Sequence, residues 1–286
     1  MTDKIPTLAE VDEIVTEVVI DEYWERGYWV GPKLFDDETI ERLRKAHDRL
    51  WAGDNDYAIP SIYGAVLGDP QSPALRQQVD AFWLNEEMRK AILSPLIGKL
   101  AARLMRVSTV RLWHDQALYK PGTAGGEKVE AGNVGWHQDW GFWQSCSTTN
   151  MISAWVALQD TDERNGAMIM VPGSHKWGVI EGSNNDKKEM EKWRVHFQRL
   201  SGGAEWQEAP VILKAGEVSF HHALTFHGSG PNGTDQPRLC VISHMMPGDT
   251  YYVAGKPLHP NLAMLGPKYY DGQPFNTDFF PQMWPV

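Results

Sequence analysis

The stretch WHQDWGFW, Trp136 to Trp143, places a histidine and an aspartate two positions apart among four aromatic residues. Side chains on a β-strand alternate between its two faces, so a strand here would put His137 and Asp139 on the same face. One imidazole and one carboxylate on a shared face are two of the three ligands in a facial triad for non-haem Fe(II). The pair alone is ambiguous, because a hydrogen-bonded His–Asp pair on an ordinary strand has the same pattern.

Runs of β-forming residues surround this stretch between residues 107 and 246. They are short, and turn-forming pairs such as Asn165-Gly166 and Pro172-Gly173 separate them. Many short strands after a helical opening are typical of a β-barrel or jelly roll braced by helices, which makes the predicted fold mainly β. The runs are VSTVRLWHDQALYK, VGWHQDWGF, MISAWVALQD, AMIMVPG, GEVSFHHA and RLCVISHMM.

The first third of the chain has a pattern typical of helices. In LFDDETIERLRKAHDRLW, apolar residues recur at helical spacing behind Asp36 or Asp37, either of which can cap a helix. Asn85 is a second capping residue. We expect a single domain with three parts: a mainly helical support over residues 1–106, a β core over 107–246 and a wrapping tail over 247–286.

The composition limits the classes of partner. With 286 residues, of which 42% are hydrophobic, the chain is long enough for one sizeable core. Its formal net charge of -10 argues against nucleic acid and anionic membrane surfaces, and no run is apolar enough to span a bilayer. The start, MTDKIPTLAEVDEI, lacks an apolar signal core, and two cysteines cannot form a disulfide framework. We therefore expect a cytoplasmic protein that acts on a small molecule.

A third metal ligand must come from farther along the chain, where four histidines are candidates: His221, His222, His227 and His244. Spacing alone does not choose among them. His227 precedes the tight turn Gly-Ser-Gly-Pro-Asn, after which a strand begins at Arg238. An arginine at the mouth of a barrel suits a carboxylate, because its planar fork binds both oxygens and stays charged. His244 shares a strand face with Arg238 by parity and remains a rival.

Three motifs in this order resemble the phytanoyl-CoA dioxygenase family. They are HQD at 137–139, SAWVALQDTDERNGAMIMVPGSH at 153–175 and HGSGPNGTDQPR at 227–238. The resemblance implies a double-stranded β-helix, or cupin-like jelly roll, and an oxygenase that uses Fe(II), 2-oxoglutarate and O₂. It also implies that His137, Asp139 and His227 hold the iron.

The resemblance further implies how the co-substrate is bound. Arg238 and Ser229 would bind the far carboxylate of 2-oxoglutarate, and Trp155 would lie beside it, with plain barrel packing as the alternative role for Trp155. Lys120 matches a recurrent Lys-Pro of the family without an assigned contact.

The resemblance also limits the reaction. Halogenating relatives replace the carboxylate ligand with a small residue, whereas Asp139 is present, so we expect hydroxylation of an unactivated C–H bond with release of succinate and CO₂. Desaturation, cyclisation and epimerisation are alternatives within the same chemistry. A cupin-type metal hydrolase or isomerase and a non-enzymatic binding module are alternatives outside it, and the anchor formed by Arg238 and Ser229 argues against the hydrolase.

The residues that contact the substrate are less defined by the pattern. If the strand stays regular, Trp143 faces the metal side, whereas Trp136 and Trp140 face away. On VRLWHDQALYK, His114 and Gln116 share one face, and parity does not decide whether that face or the opposite one is turned inward. A substrate contact from Trp143, His114 or Gln116 is therefore an interpretation, beside a purely structural role.

The acidic chain favours a small apolar or amphipathic metabolite over an acyl-CoA, whose phosphates would need a basic rim. Residues 121–134 and 181–209 are predicted to form lids over the cavity, and lids of this kind set specificity. The second segment contains the apolar stripe of a predicted helix, formed by Met190, Trp193, Phe197 and Leu200.

Overall fold

Strands drawn from the whole length of the chain build the core. The computed structural model describes residues 4–57, 66–67, 74–123, 132–184 and 188–286, and the strands in these residues form two antiparallel sheets. In chain order they are β1 Tyr28–Lys33, β2 Val66–Leu67, β3 Arg76–Val79, β4 Val110–Lys120, β5 Val134–His137, β6 Ile152–Ala157, β7 Met168–Met170, β8 Ala209–Pro210, β9 Glu217–His222, β10 His227–Ser229, β11 Arg238–Pro247 and β12 Gln282–Trp284.

The two sheets differ in size and have a cavity between them. The larger sheet has the order β1-β9-β6-β11-β4-β3-β2, with β12 paired to β4, and the smaller has the order β5-β10-β7-β8. Residues of both sheets line the cavity. Two facing antiparallel sheets braced by helices agree with the predicted mainly β fold.

Most of the helices pack on the outer face of the larger sheet, whereas the last one packs against the smaller sheet. They are α1 Val11–Ile14, α2 Glu17–Arg26, α3 Asp37–Trp51, α4 Glu86–Ile92, α5 Pro95–Met105 and, farther along the chain, α6 Met190–Leu200. Asp36 caps α3 by accepting a hydrogen bond from the backbone of Thr39 at 2.8 Å, and Asn85 caps α4, so both predicted caps are confirmed. The apolar sides of α1 to α5 share one core with outward residues of the sheet such as Phe220 and Val241.

The structure shows which face of β4 is turned inward, a question that the alternation of side chains in the sequence could not decide. β4 pairs with β11 so that His114 lies opposite His244 and Gln116 lies opposite Ile242. His114 and Gln116 line the cavity, whereas Ala117 belongs to the core beneath the helices. The polar face of this strand is therefore turned toward the cavity.

The structure adds to one expectation about local structure and shows another to be wrong. The described part of residues 1–106 contains α1 to α5, and it also supplies β1, β2 and β3 to the larger sheet. The strand predicted for VGWHQDWGF ends at His137, and a 3₁₀ turn, Asp139–Gly141, follows it. His137 and Asp139 therefore do not share a strand face by parity.

The predicted amphipathic helix exists as α6, but it does not cover the cavity. Its Phe197 is buried with Trp136 and Phe226 on the outer side of the smaller sheet, whereas Leu200 is exposed. Among the described residues of segment 181–209, none lines the cavity. Of the two predicted lids, residues 124–131 and 185–187 lie outside the described residues. Within the described part of the chain, every helix is too short or too polar to cross a membrane.

Candidate metal centre

Three side chains with metal-binding atoms converge on the inner side of the smaller sheet. β5 and β10 pair with His137 opposite His227. Asp139 follows in the turn after β5, and its Oδ1 lies 3.5 Å from Nε2 of His137 and 3.6 Å from Nε2 of His227. One candidate ligand atom from each residue lies within 4.8 Å of the other two. Two imidazoles and one carboxylate so placed have the composition of a facial triad for non-haem Fe(II).

Backbone carbonyls orient both imidazoles. Nδ1 of His137 lies 2.8 Å from the carbonyl oxygen of Gly135, and Nδ1 of His227 lies 3.0 Å from that of Thr225. A carbonyl can only accept, so both Nδ1 atoms carry the proton and donate it. Each ring therefore presents an unprotonated Nε2, the form that binds a metal.

A buried glutamine holds the turn that brings Asp139 to the histidines. The amide nitrogen of Gln138 donates to the carbonyl oxygens of Gly178 and Leu224, both at 2.8 Å. Its amide oxygen accepts from the backbone nitrogen of Ile180 at 2.9 Å. These three bonds fix the backbone between His137 and Asp139. In a regular strand, the alternation of side chains would have placed the two residues on one face without such bonds.

The second oxygen of Asp139 is held by residues of the larger sheet. Ser153 donates to Oδ2 at 2.7 Å, and Nε2 of His221 donates to the same oxygen at 3.1 Å. Nδ1 of His244 lies 2.7 Å from the Ser153 hydroxyl, which accepts from it because that hydroxyl proton is given to Asp139. The rival histidines His221 and His244 thus support the carboxylate, whereas His222 packs against Trp24 at 5.6 Å between ring centroids.

Strand register explains why these supporting residues meet. His221, Ser153, His244 and His114 lie directly opposite one another on β9, β6, β11 and β4. They form a polar row that runs across the inner face of the larger sheet, from the Asp139 carboxylate toward the far side of the cavity.

The ionisation of the three candidate ligands suits a divalent cation. Burial would raise the pKa of Asp139, but the interactions with His227, His137 and His221 outweigh it and hold that pKa well below its usual range. Burial, together with His137, lowers the pKa of His227 well below its usual value. An ionised carboxylate beside a neutral imidazole is the state that metal binding requires.

Two buried basic residues have no carboxylate partner among the described residues, and one of them, Arg238, lines the cavity. Arg238 is 3% exposed and Lys120 is 0% exposed, and the two residues are opposite each other on β11 and β4. Nζ of Lys120 donates to the Ser229 hydroxyl at 2.5 Å and to the carbonyl oxygen of Gly230. The Arg238 guanidinium lies 5.2 Å from the Trp155 ring. Its Nε and Nη1 have no hydrogen-bond partner among the described residues.

This arrangement fits a dianionic co-substrate. Burial, followed by the nearby Arg238 charge, lowers the pKa of Lys120 well below its usual range, so the fold alone holds these positive charges at a cost. A carboxylate that binds the Arg238 fork would satisfy the orphaned donors. Of the two residues assigned through the family resemblance, Trp155 lies beside this fork, and Ser229 bonds to Lys120, which is opposite Arg238. Arg238, Trp155 and Ser229 all line the cavity.

The cavity has a volume of about 540 Å³. Trp143, His114 and Gln116 all line it. The Trp143 ring lies 5.6 Å from His114 and 4.9 Å from His244 between centroids. Phe142, which parity did not single out, also lines the cavity.

Trp136 and Trp140 pack away from the cavity, as parity predicted. The Trp136 ring meets Trp206 beneath α6. Nε1 of Trp140 donates to the carbonyl oxygen of Thr148 at 2.8 Å.

Several residues of the site were not identified from the sequence. The contacts of Lys120 and the roles of Ser153 and His221 depend on strand register, which the sequence does not specify. Asp80 also lines the cavity. The sequence feature that could have indicated Asp80 is its position directly after a short strand, where the backbone turns with φ at 57°.

The chain is similar to known proteins over most of its length. The sequence pattern of the family described as phytanoyl-CoA dioxygenase (PhyH) matches residues 23–240. The peroxisomal phytanoyl-CoA dioxygenase of Rattus norvegicus is 24% identical over 238 residues, which are 82% of this chain and 69% of that protein.

Two solved structures resemble the whole chain. The non-haem α-ketoglutarate-dependent carbocyclase SnoK from nogalamycin biosynthesis has a TM-score of 0.72 at 20% identity, covering 98% of this chain and 99% of its own. The related epimerase SnoN has a TM-score of 0.65 at 26% identity, covering 97% and 100%. The predicted double-stranded β-helix core with bracing helices is confirmed by this similarity, and so is the family resemblance read from the motifs.

Proposed function

The chain belongs to the phytanoyl-CoA dioxygenase family, and on that premise we propose that it hydroxylates an unactivated C–H bond of a small apolar or amphipathic metabolite. It is an enzyme of the Fe(II)- and 2-oxoglutarate-dependent oxygenase class. When bound, iron and 2-oxoglutarate supply the O₂ activation that such a C–H bond requires, and 2-oxoglutarate leaves as succinate and CO₂. The chain's own residues bind and orient the reactants and exclude water.

In this proposal, His137, Asp139 and His227 hold the iron. Support comes from the two imidazoles, whose Nδ1 atoms donate to backbone carbonyls and whose Nε2 atoms are therefore unprotonated, and from the Asp139 carboxylate, whose other oxygen is occupied by Ser153 and His221. Fixing one carboxylate oxygen leaves the other to bind the metal. Ser153 and His221 act as positioning residues for Asp139.

Arg238 would pair with the far carboxylate of 2-oxoglutarate, with Ser229 and Trp155 beside it. Lys120 contributes positive charge and orients the Ser229 hydroxyl: because the hydroxyl oxygen accepts from Lys120, its proton is free to be donated to the carboxylate. The observation that carries the proposed function is that one cavity is lined both by an intact His–Asp–His set and by Arg238, a buried guanidinium with two nitrogens unpartnered among the described residues.

The test is a substrate panel read by succinate release and product mass, with Fe(II), ascorbate and O₂ present. A gain of one oxygen in the product, coupled to one succinate, supports hydroxylation. Asp139→Ala should abolish both signals, whereas Asp37→Asn, a change at a carboxylate that is 90% exposed on α3, should leave them unchanged. A wild-type protein that neither binds 2-oxoglutarate nor releases succinate contradicts the proposal.

A second candidate reaction is ring closure or epimerisation. It is favoured by the match to SnoK and SnoN, which extends over nearly the full length of both chains. The same assay separates the outcomes. Loss of two hydrogens indicates cyclisation or desaturation, and an unchanged mass with an inverted centre indicates epimerisation.

We also propose that residues 1–286 form a single domain in the cytoplasm. In support, α1 to α5 share one core with the larger sheet, and β12 from the tail pairs with β4. Cys146 and Cys240 are both free and buried, as in a reducing compartment. One cooperative thermal transition would support the single domain, and two separate transitions would contradict it.

A further inference from the structure

A buried carboxyl group that lines the cavity has no hydrogen-bond or ion-pair partner among the described residues. Asp80 lines the cavity and is 4% exposed. Its side chain makes no capping hydrogen bond to the turn that follows, and within the described part of the chain no hydrogen bond or cation stabilises its carboxyl group. Buried carboxylates are normally paired or hydrogen-bonded, so a group like this needs a ligand to account for it.

The fold does not use this carboxyl group. Asp80 occupies the N-cap position of the turn Ala81–Trp83, where an aspartate ordinarily accepts a hydrogen bond from the turn's backbone. Here the backbone nitrogens of Ala81 and Phe82 donate instead to the carboxylate of Asp115, at 2.8 and 3.5 Å. Capping is therefore done by Asp115, and the Asp80 side chain is left turned to the cavity.

The neighbouring histidines add acceptors and no positive charge. Nδ1 of His244 donates to Ser153, which leaves its Nε2 as an acceptor, and that atom has no partner among the described residues. Nε2 of His114 is also without one. Burial lowers the pKa of His114 to about 3 and that of His259 to about 4, so neither ring is a counter-ion for Asp80.

The two ends of the cavity thus differ in the kind of polar group that lacks a partner. Among the described residues, the end with Arg238 has guanidinium nitrogens that lack an acceptor, whereas the end with Asp80 has buried acceptors that lack a donor. Resting on the proposed function, we propose that the substrate carries a protonated amine and that Asp80 binds this ammonium group. Trp143 and His114 contact the adjoining part of the molecule.

An ammonium group satisfies this end better than a hydroxyl. A hydroxyl supplies one hydrogen bond and leaves the charge of an ionised carboxylate uncompensated, whereas an ammonium supplies three donors and a positive charge. Burial raises the pKa of Asp80 to about 7. A bound cation reverses that effect and keeps the carboxylate ionised.

The experiment compares matched probes on the iron- and 2-oxoglutarate-loaded enzyme under anaerobic conditions. The probes are cyclohexylmethylamine, cyclohexylmethanol and N-acetylcyclohexylmethylamine, and calorimetry measures their dissociation constants. We expect the amine to bind the wild type roughly tenfold or more tightly than either neutral probe, as a buried charged hydrogen bond does. Asp80→Asn should remove this preference while changing the affinity for cyclohexylmethanol little. Asparagine tolerates the left-handed backbone at position 80, so the variant is expected to fold.

Glu181→Gln, a change at an exposed residue outside the cavity, should keep the amine preference. The inference is overturned if the wild type shows no preference for the amine, if no probe binds, or if Asp80→Asn retains the preference. Calorimetry of 2-oxoglutarate alone separates this failure from failure of the proposed function. A wild type that binds 2-oxoglutarate without preferring amines contradicts only the amine assignment, whereas one that does not bind 2-oxoglutarate contradicts the oxygenase assignment.

Discussion

Replacing Arg238 with methionine should change stability and co-substrate binding in opposite directions. Arg238 and Lys120 are both buried, and neither has a carboxylate partner among the described residues. In the absence of 2-oxoglutarate the fold therefore carries a desolvated guanidinium close to a buried amine, whose pKa is lowered by burial and by that guanidinium. Methionine has similar length and no charge, so Arg238→Met relieves one desolvation penalty and the repulsion on Lys120.

The magnitude follows from the burial. An unpaired buried ion costs several kcal/mol, part of which the remaining hydrogen bonds offset, so we expect the variant without co-substrate to gain roughly 1–3 kcal/mol. For a chain of this size that corresponds to a rise in Tm of roughly 2–12 °C. Loss of the fork that binds a buried carboxylate costs about 3–5 kcal/mol of binding. The Kd for 2-oxoglutarate should therefore rise by a factor of about 10² to 10⁴.

The assay is thermal unfolding with and without saturating 2-oxoglutarate, combined with calorimetric titration of the co-substrate. Wild-type protein should gain about 2.7 kcal/mol at a ligand concentration 100 times the Kd, and Arg238→Met should gain almost nothing. Arg199→Met, at an exposed arginine on α6, should behave as wild type in both measurements. If Arg238→Met is less stable than wild type without co-substrate, Arg238 is not an unpaired charge that destabilises the fold. If the variant keeps its affinity for 2-oxoglutarate, Arg238 does not bind the co-substrate.

Three further predictions concern individual groups of the cavity. Ser153→Ala should weaken Fe(II) binding by roughly 10- to 100-fold in a competition titration, because Asp139 loses a hydrogen bond that orients it; affinity equal to wild type would contradict the positioning role. Lys120→Met should raise the 2-oxoglutarate concentration needed for half-maximal succinate release while Fe(II) affinity stays within about twofold of wild type; an unchanged requirement would place the co-substrate elsewhere. The raised pKa of Asp80 means that its stabilising contribution is complete below the unfolded value of 3.8 and is lost as the pH rises to about 7. Asp80→Asn should therefore flatten the decline in the free energy of unfolding between these pH values, and parallel wild-type and variant curves in denaturant titrations would count against it.

The ligand set illustrates what the sequence can specify. Motif order pointed to His137, Asp139 and His227 through a family resemblance, and the structure brings these three together. The physical route differs from the one that strand alternation predicted, because β5 ends at His137 and Gln138 anchors a turn. A three-residue turn that is held by the side chain of the preceding residue leaves no periodic signal in the sequence. Strand alternation was therefore the wrong reason for bringing His137 and Asp139 together.

The remaining parts of the site depend on contacts between distant strands. The pairing of β4 with β11 determines which face of β4 is turned toward the cavity. The sequence of β4 alone does not show which of its two alternating sets of side chains lies on that face. The same holds for Ser153 and His244, which support Asp139 only because β6 and β11 are in register. The sequence does not indicate a role for Asp80, because an aspartate before a turn is common and usually caps it. Here Asp115 accepts the hydrogen bond from the backbone of Ala81 instead, which leaves Asp80 without a partner among the described residues.

Anaerobic titration of the protein with Fe(II) in the presence of 2-oxoglutarate shows whether His137, Asp139 and His227 hold the iron. The wild type should bind one iron per chain, and His227→Ala should lose that binding. His222→Ala, at a neighbouring buried histidine that packs outside the cavity, should keep it. Retention of stoichiometric iron by His227→Ala, with loss in His244→Ala or His221→Ala instead, would contradict the assignment of the metal centre.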